Sequence, residues 1–336
     1  MPIDVNIRKY MTAKTIAQRI ESSVSISTPI RDLVFKRSRQ HPYPKIGIDQ
    51  IKKVVGNVPV TRRGTPAVPI QKHGRTIEEI VPDGIDLQDF ISAMDLNDMR
   101  LLEAVNVQGV VNNVLDDMLL MVKKTTEALC AQSLTGKIKY PMKSDLDDEP
   151  YEISYVDNAS MPEYTGAKLS SASKISDIIA ICDAMETMVQ DEGWGGNIEI
   201  LAGKDIYALI LELVETKSSK QNNVSVKVDK GTITVGGYTF RKVNASYKGY
   251  KTVGASTAIG TVKEIPEKSL CMVDLNAPHT LFYLALDDID AGLQAMPFFA
   301  APGEVKKNPP GIEILGRSKP VPAPVVGAIR WFKEAM

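Results

Sequence analysis

Cys271 and His279 come nearest to a reactive site by residue type and spacing, because a thiolate beside an imidazole can act as a nucleophile. A reactive cysteine needs a nearby positive charge that lowers the pKa of its thiol. Cys271 instead lies in the apolar run SLCMVD, which predicts a buried strand where a cysteine packs as a small hydrophobic residue. The chain has three cysteines that are far apart, which is typical of a protein without disulfides in a reducing compartment.

Two acidic clusters contain the carboxylates that calcium prefers. Asp145–Glu149 begins like a calcium loop, but Pro150 stands where the loop needs glycine, and the loop that would start at Asp288 ends on Phe299 instead of an acid. Ser256 lacks the closing glycine of a nucleophile elbow. The chain also has no phosphate-binding, dinucleotide-binding or zinc-protease motif. We therefore predict solvated turns at both clusters, and no catalytic, cofactor or metal site.

Charge is distributed very unevenly along the chain. Residues 1–75 contain 15 Lys and Arg against 4 Asp and Glu, a net charge of +11, and the remaining 261 residues carry −12. The basic segment has six prolines between positions 29 and 69 and only short apolar runs, so it is predicted not to fold alone. A basic, extended segment joined to an acidic body indicates an arm that holds neighbouring subunits, because complementary charge steers association and fixes its register.

The first part of this arm, residues 1–44, is predicted to be a short helix followed by irregular extended chain. Thr12 is a suitable cap for a helix from Ala13 to Glu21. After Pro29 the chain has a single apolar anchor, which we expect to be buried on a neighbouring subunit and which consists of Leu33, Val34 and Phe35.

Residues 45–90 indicate an extended β-hairpin. One strand starts at Ile46 and a return strand runs from about Ile70 to Val81, with a basic tip formed by Arg62, Arg63 and Gly64. A long two-stranded ribbon is marginal in water, so this hairpin needs a surface to lie on. Two strands of a compact sheet are the alternative interpretation.

The clearest helical pattern covers residues 97–134. Asn97 is a suitable N-cap, and Gly136 suits the left-handed position that ends a helix. Such a helix would be about 55 Å long, which is typical of a spine on which other elements lie. Its single apolar stripe consists of Leu101, Val105, Val111, Leu115, Met118, Val122 and Leu129.

The rest of the chain alternates helical and strand patterns. A hairpin follows the spine helix, a polar linker covers residues 157–172, and amphipathic helices flank a buried strand at residues 197–202. Short strands then follow, with a turn at Gly236-Gly237. This order predicts an α+β domain with a mostly antiparallel sheet, closed by two late strands and a proline-rich crossing.

The order of these parts resembles the HK97-like fold of tailed-phage major capsid proteins, and within it the lambda-like major capsid protein E family. Residues 27–53, STPIRDLVFKRSRQHPYPKIGIDQIKK, resemble that family's passage from arm to loop. Residues 311–335, GIEILGRSKPVPAPVVGAIRWFKEA, resemble its closing segment. The resemblance implies an N-terminal arm (1–44), an extended loop or E-loop (45–90), a peripheral domain with the spine helix (91–169), an axial α+β domain (170–304) and return strands of the peripheral domain (305–336).

The resemblance also implies function and partners. It describes a structural protein, not an enzyme, that self-assembles through hexamers and pentamers into the icosahedral head shell around double-stranded DNA. Its expected partners are a portal protein, a separate scaffold with its maturation protease, a decoration protein as an optional addition, and packaged DNA bound through non-specific charge. Assembly is expected in the host cytoplasm and maturation in a procapsid. No membrane is expected, since no run reaches about 18 apolar residues.

Two other function classes compete with this one. A nucleic-acid binding protein would use the basic N-terminal segment, and tight duplex binding with a steep salt dependence would favour it. That segment has only three aromatic residues and no known binding motif. An enzyme would use residues 173–304, and a pocket with converging acids or bases would favour it.

Overall fold

Strands pair between segments that lie far apart in the sequence, which gives a mixed α+β structure. We describe it from a computed structural model. The structure describes residues 13–22, 26–47, 79–100, 104–143, 150–156, 161–218, 224–253 and 256–336.

The arm contains more regular structure than its sequence predicts. Helix α1 (Ala13–Ser22) agrees with the predicted helix, and Ile16 on it is buried against the spine. After Pro29, where we expected irregular chain, a short helix α2 (Pro29–Leu33) and a strand β1 (Arg37–His41) form. That expectation was wrong because both elements are held by distant parts of the chain, which the local pattern does not contain.

The extended loop is described only at its base. Strand β2 (Ile46–Gly47) pairs antiparallel with β3 (Glu79–Ile80), as a hairpin between them requires. Residues 48–78 lie outside the described residues, and the predicted tip at Arg62, Arg63 and Gly64 lies among them.

The spine begins differently from the prediction. Helix α3 (Ala93–Arg100) precedes α4 (Ala104–Ser133), and Asn97 lies inside α3 instead of capping the spine. Ser92 caps α3 instead: its hydroxyl oxygen accepts from the Asp95 N–H at 3.1 Å, and Asp95 accepts from the Ser92 N–H at 3.2 Å. The 30 residues of α4 make a helix of about 45 Å.

The apolar stripe of the spine is confirmed where the structure describes its side chains. Val111, Leu115, Met118, Val122 and Leu129 are all buried. The expectation of a single stripe fails at the C-terminal end, because every residue from 126 to 134 is buried. The helix end is therefore enclosed on all sides, and the chain then turns at Gly136, whose φ of +89° suits glycine.

A three-stranded antiparallel sheet packs on the N-terminal half of the spine. Its order is β15 (Phe299–Lys307), β16 (Pro310–Ser318) and β4 (Ile85–Ser92). Gly316 permits this close approach, because a Cβ there would lie 2.8 Å from the Met118 sulfur. The hairpin predicted after the spine is confirmed as β5 (Lys137–Pro141) with β6 (Pro150–Ser154).

The predicted α+β unit is confirmed. Its helices are α5 (Ile175–Gln190) and α6 (Lys204–Ser218), and the turn at Gly236-Gly237 has positive φ at both residues. Among the described residues its sheet has six strands, and all neighbouring strands are antiparallel except the pair Ile198–Ala202 and Tyr238–Lys242, which is parallel. The strand order is β18 (Ile329–Phe332), β13 (Leu270–Asp274), β7 (Ile198–Ala202), β10 (Tyr238–Lys242), β9 (Thr232–Val235) and β8 (Val226–Asp229).

A long hairpin that the sequence did not indicate follows β10 and packs against the spine and β5. Strand β11 (Ser246–Val253) pairs over its whole length with β12 (Ser256–Lys263). Ser256 is the first residue of strand β12 and does not lie between a strand and a helix, so its backbone does not have the arrangement of a serine nucleophile.

The closing segment is divided between sheets. Strand β17 (Pro320–Ala323) pairs with β14 (Thr280–Leu284), which also pairs in parallel with β1, whereas β18 joins β13 in the six-stranded sheet. The last strand still reaches the spine through its side chain, because the Trp331 indole N–H donates to the Leu134 carbonyl at 2.7 Å. A 3-10 turn, Val326–Ala328, connects the two strands. No helix in the described ranges is both long and apolar enough to cross a membrane.

Candidate assembly interface

His279 has a structural position rather than a reactive one. It is buried, its Nδ1 accepts from the Val325 N–H at 3.0 Å, and its Nε2 lies 3.1 Å from the Asp274 carbonyl. Burial lowers the pKa of His279 to about 4, so the ring is neutral and ties β13 to the closing segment. Cys271 is fully buried, and burial raises the pKa of its thiol far above the usual range.

The acidic cluster at Asp287–Asp290 forms a turn. One Asp288 oxygen accepts from the Asp290 N–H at 2.7 Å and the Ala291 N–H at 3.1 Å, and the other lies 2.7 Å from the Arg317 guanidinium. Because the Asp288 carboxylate is already paired with Arg317, it is not free to bind a metal ion. Residues 144–149, with the other acidic cluster, lie outside the described residues. In the part of the chain that the structure describes, no group of three or more metal-ligating side chains occurs.

The apolar anchor of the arm lies inside its own chain. Val34 and Phe35 are 3% and 2% exposed, and Leu33 is half-buried. The expectation that this anchor is buried on a neighbour is therefore corrected for Val34 and Phe35. The physical reason is the enclosed end of the spine, which needs apolar cover and receives it from the arm. The anchor shares its apolar cluster with Ile30, Ala128, Cys130, Ala131, Leu134, Leu281 and Trp331.

A buried carboxylate fixes the arm to the spine. The Glu127 side chain accepts from the Ile30 N–H at 2.7 Å and from the Arg31 N–H at 2.9 Å. These N–H groups belong to the first turn of α2, where they have no partner within the helix. Bonds to an ionised acceptor are stronger than neutral ones, so Glu127 holds α2 against α4.

A second buried carboxylate adjoins the first. Glu264 follows β12 directly and is 3% exposed, and neither of its carboxylate oxygens accepts a hydrogen bond from a donor within the described residues. Burial and the negative charge of Glu127 raise the pKa of Glu264 to about 8, against the opposing charge of Lys124. Burial also raises the pKa of Glu127, although its two N–H donors act in the other direction. The pair connects the arm, the spine and the β11–β12 hairpin.

Sequence analysis did not identify this pair. Glu264 lies in the polar stretch TVKEIP, where nothing indicates burial. Glu127 had a usable signal, since the run Ala128–Ala131 of small and apolar residues follows it directly near the end of the spine helix.

Beyond the anchor, the arm presents a basic edge. Residues 37–40 of β1 are exposed, Arg37 and Arg39 among them. Strand β1 lies at one end of its three-stranded sheet, and no strand of the described residues pairs with its outer edge, which can therefore pair with another chain.

A cleft of about 1060 Å³ lies at the foot of the extended loop, between β4, the β5–β6 hairpin and the turn at Asp287. Two of its carboxylates already have partners: Asp86 lies 3.6 Å from Arg317, and Asp287 lies 2.9 Å from Lys319. The charged side chains that line the cleft are Asp83, Asp86, Asp89, Asp287, Lys143, Arg317 and Lys319. Acids therefore outnumber bases in the cleft.

Known proteins match this chain in sequence pattern and in fold. The family described as Phage major capsid protein E matches residues 12–329. The capsid protein of an Escherichia coli CFT073 prophage, a putative assignment in its own description, has a TM-score of 0.60 at 15% identity over 96% of this chain and 98% of that one. A phage-related protein from Bordetella bronchiseptica RB50 has a TM-score of 0.50 at 11% identity over 97% of this chain and 98% of that one. No curated protein sequence matches significantly.

Proposed function

Since the chain belongs to the phage major capsid protein E family and is a shell-forming structural protein of the virion, we propose that it assembles through hexamers and pentamers around double-stranded DNA. The observation that carries this proposal is the family match, which extends over residues 12–329. The fold is HK97-like, and the chain forms an icosahedral shell by self-assembly. The nucleic-acid binding alternative has no support from the family.

The finer assignments rest on the family alone. We propose a portal protein, a scaffold with its maturation protease and a decoration protein as partners, assembly in the host cytoplasm, and no enzymatic activity. DNA would meet the shell through non-specific charge. We also propose the division into arm, extended loop, peripheral domain and axial domain, with one adjustment for the closing segment. Strand β16 belongs with the spine, whereas β18 belongs with the axial sheet.

We propose that the arm contacts neighbours through its basic parts and not through its apolar anchor. Val34 and Phe35 hold the root of the arm within its own subunit, so β1 presents Arg37 and Arg39 at a fixed position. Leu33, which is half-buried, is the one member of the anchor with surface left for a neighbour.

The basic tip of the extended loop, Arg62, Arg63 and Gly64, is proposed to lie on the acidic cleft of a neighbour. The support is charge complementarity: the first 75 residues carry +11, and the cleft contains Asp83 and Asp89 beside its paired carboxylates. Contacts of this kind guide subunits into register more than they add affinity.

Replacing both Arg62 and Arg63 with glutamate is expected to lower the yield of shells at low ionic strength by about tenfold, because like charges would face each other at every contact. The yield, measured by light scattering, should recover as the salt concentration approaches about 1 M, where charges are screened. Lys248 and Lys251, exposed on the β11–β12 hairpin, provide the matched control with the same charge change. An equal loss in the control would show that total charge, and not the tip, limits assembly.

The function itself is tested by light scattering and negative-stain imaging of the purified protein. Shells of megadalton mass, or rings of five or six subunits, are expected. A monomer of 36.8 kDa that persists at every salt concentration and with its scaffold added would contradict the proposal. Tight duplex binding by that monomer, steeply weakened by salt, would favour the nucleic-acid alternative instead.

A further inference from the structure

The loop between β14 and β15 displays two apolar side chains to solvent. Ile289 is 90% exposed, the highest value among the large hydrophobic residues that the structure describes, and Leu293 is 60% exposed. An isoleucine that is so exposed buries little apolar surface and therefore contributes little to the stability of its own subunit.

Ion pairs and a hydrogen bond hold this loop in place, so the exposure of these residues does not result from a disordered loop. Arg317 pairs with Asp288 at 2.7 Å, and the Leu293 N–H donates to the Asp288 carbonyl at 3.0 Å. Lys319 pairs with Asp287 at 2.9 Å. Leu293 has a φ of +55°, a left-handed conformation that residues with a Cβ rarely adopt. A strained backbone persists only where its surroundings determine it, and such positions concentrate at functional surfaces.

A third exposed apolar side chain lies at the far end of the sheet that starts beside this loop. Strand β15 begins beside the loop, where Phe299 pairs with Arg317, and ends where Lys307 pairs with Pro310. Val305 near that far end is 73% exposed, about 20 Å along the strand from Phe299. A register shift between Pro302 and Val305 interrupts the pairing there, and bulges of this kind redirect a side chain.

The two ends differ in charge as well as in position. The loop end carries Asp290 next to Ile289, in addition to the paired Asp287 and Asp288. The Val305 end carries Lys307, together with Glu304 and the ion pair between Lys306 and Glu313. The loop end therefore offers Asp290 to a partner, and the Val305 end offers Lys307, of opposite sign, beside Glu304.

We infer that the Ile289 loop of one subunit docks against the Val305 end of the β15–β16 hairpin of a second copy of this chain. The inference rests on the shell-forming function, which requires every subunit to contact other copies. Because the two patches differ and lie at opposite ends of one sheet, the contact is head-to-tail, and head-to-tail contacts close into rings when the rotation permits. It buries the exposed apolar side chains at both ends and places Asp290 near Lys307.

Cysteine cross-linking of assembled shells tests this contact directly. The three native cysteines are buried, so Ile289→Cys and Val305→Cys would supply the accessible thiols. A chain carrying both is expected to form covalent oligomers larger than dimers under mild Cu(II)–phenanthroline oxidation, because each subunit then links to two others. Either single variant should remain monomeric in denaturing gels. The matched control joins Val305→Cys to Ile259→Cys, which is 61% exposed on the β11–β12 hairpin, and should give no cross-links.

Shell formation is recorded for each variant first, so a failure of the function is separated from a failure of the contact. Intact shells of the double variant without cross-links would overturn the inference. Cross-linked dimers from Ile289→Cys alone would also overturn it, because they require a two-fold contact between identical patches. As a second measurement, Ile289→Asp should lower the shell yield by about tenfold or more while leaving subunit unfolding unchanged, and an unchanged yield would contradict the contact.

Discussion

Replacing Glu264 with glutamine is expected to stabilise the subunit at about pH 8 and to flatten the pH dependence of its unfolding. Glu264 is 3% exposed, lacks a hydrogen-bond partner among the described residues and adjoins the Glu127 carboxylate. Glutamine has nearly the shape of protonated glutamate but cannot ionise. The variant therefore keeps the packing and removes the cost of a buried charge.

The sign of the effect follows from the pKa of Glu264, which is raised from 4.5 to about 8 in the folded state. Between these values the folded chain binds more protons than the unfolded chain, so the free energy of unfolding falls as the pH rises. The stability contributed by the protonated form is complete below the unfolded pKa and is lost as the pH rises through about 8. Glutamine should match the wild type at about pH 4 and exceed it at higher pH.

The expected gain at about pH 8 is on the order of 2–3 kcal/mol. Each pKa unit corresponds to about 1.4 kcal/mol, and the expected gain is smaller than the full shift implies because the buried amide of glutamine also loses its hydrogen bonds to water. Urea unfolding of dissociated subunits at several pH values measures the difference. Glu267→Gln, an exposed change three residues away, is the control and should have no effect.

Replacing Glu127 with glutamine is expected to have the opposite effect on subunit stability. Its carboxylate accepts from the Ile30 and Arg31 N–H groups, and an amide keeps only one acceptor oxygen. The Glu127→Gln variant should therefore have a free energy of unfolding that is lower by about 1–3 kcal/mol at neutral pH. If Glu264→Gln instead lowers the stability of dissociated subunits at neutral pH, Glu264 is ionised in the folded subunit and is stabilised there by a positive charge such as Lys124.

The elements that the sequence predicted well are those with a local periodic signal. The spine stripe from Val111 to Leu129, the helix Ile175–Gln190 and the strand around Cys271 each contain their own pattern and lie where it indicates. The glycine turns at 136 and 236–237 were predictable for the same reason, because positive φ favours glycine whatever surrounds it.

The features that the sequence did not reveal depend on partners far along the chain. Strand β1 pairs with β14, more than 200 residues away, and its sequence RSRQH has no strand pattern. The Glu127–Glu264 pair joins residues 137 positions apart. Asn97 and Ser92 are both good caps by residue type, and the reciprocal contact with Asp95 favours Ser92.

In the candidate interface, too, the sequence predicted the features with a local signal and not those that depend on distant residues. Charge asymmetry located the basic arm, because net charge can be counted from residues alone. The anchor of Leu33, Val34 and Phe35 was recognised as apolar, but its partner was assigned to another subunit. Only the tertiary structure shows that Phe35 packs into the apolar cluster at the end of the spine of its own chain.

Replacing Phe35 with alanine is expected to destabilise the isolated subunit by about 3–5 kcal/mol, because the change leaves a cavity in a closed apolar cluster. Phe35 is 2% exposed, and its ring meets His279 edge-on with centroids 6.0 Å apart. Globular domains have only about 5–15 kcal/mol of stability in total, so much of the subunit's stability would be lost. Urea unfolding measures this loss, and the fluorescence of Trp331 reports it from within the same cluster.

Tyr43→Ala is the matched control, since Tyr43 is an aromatic residue of the same arm that is 66% exposed. It should leave subunit stability within about 0.5 kcal/mol of the wild type. The pair of variants separates two roles of the arm. If Phe35 stabilises its own subunit, Phe35→Ala lowers unfolding free energy before any assembly takes place, and shell yield falls only as a consequence. If subunit stability is unchanged and shells alone fail to form, Phe35 belongs to a neighbouring subunit after all, and the arm must leave its own chain when the shell closes.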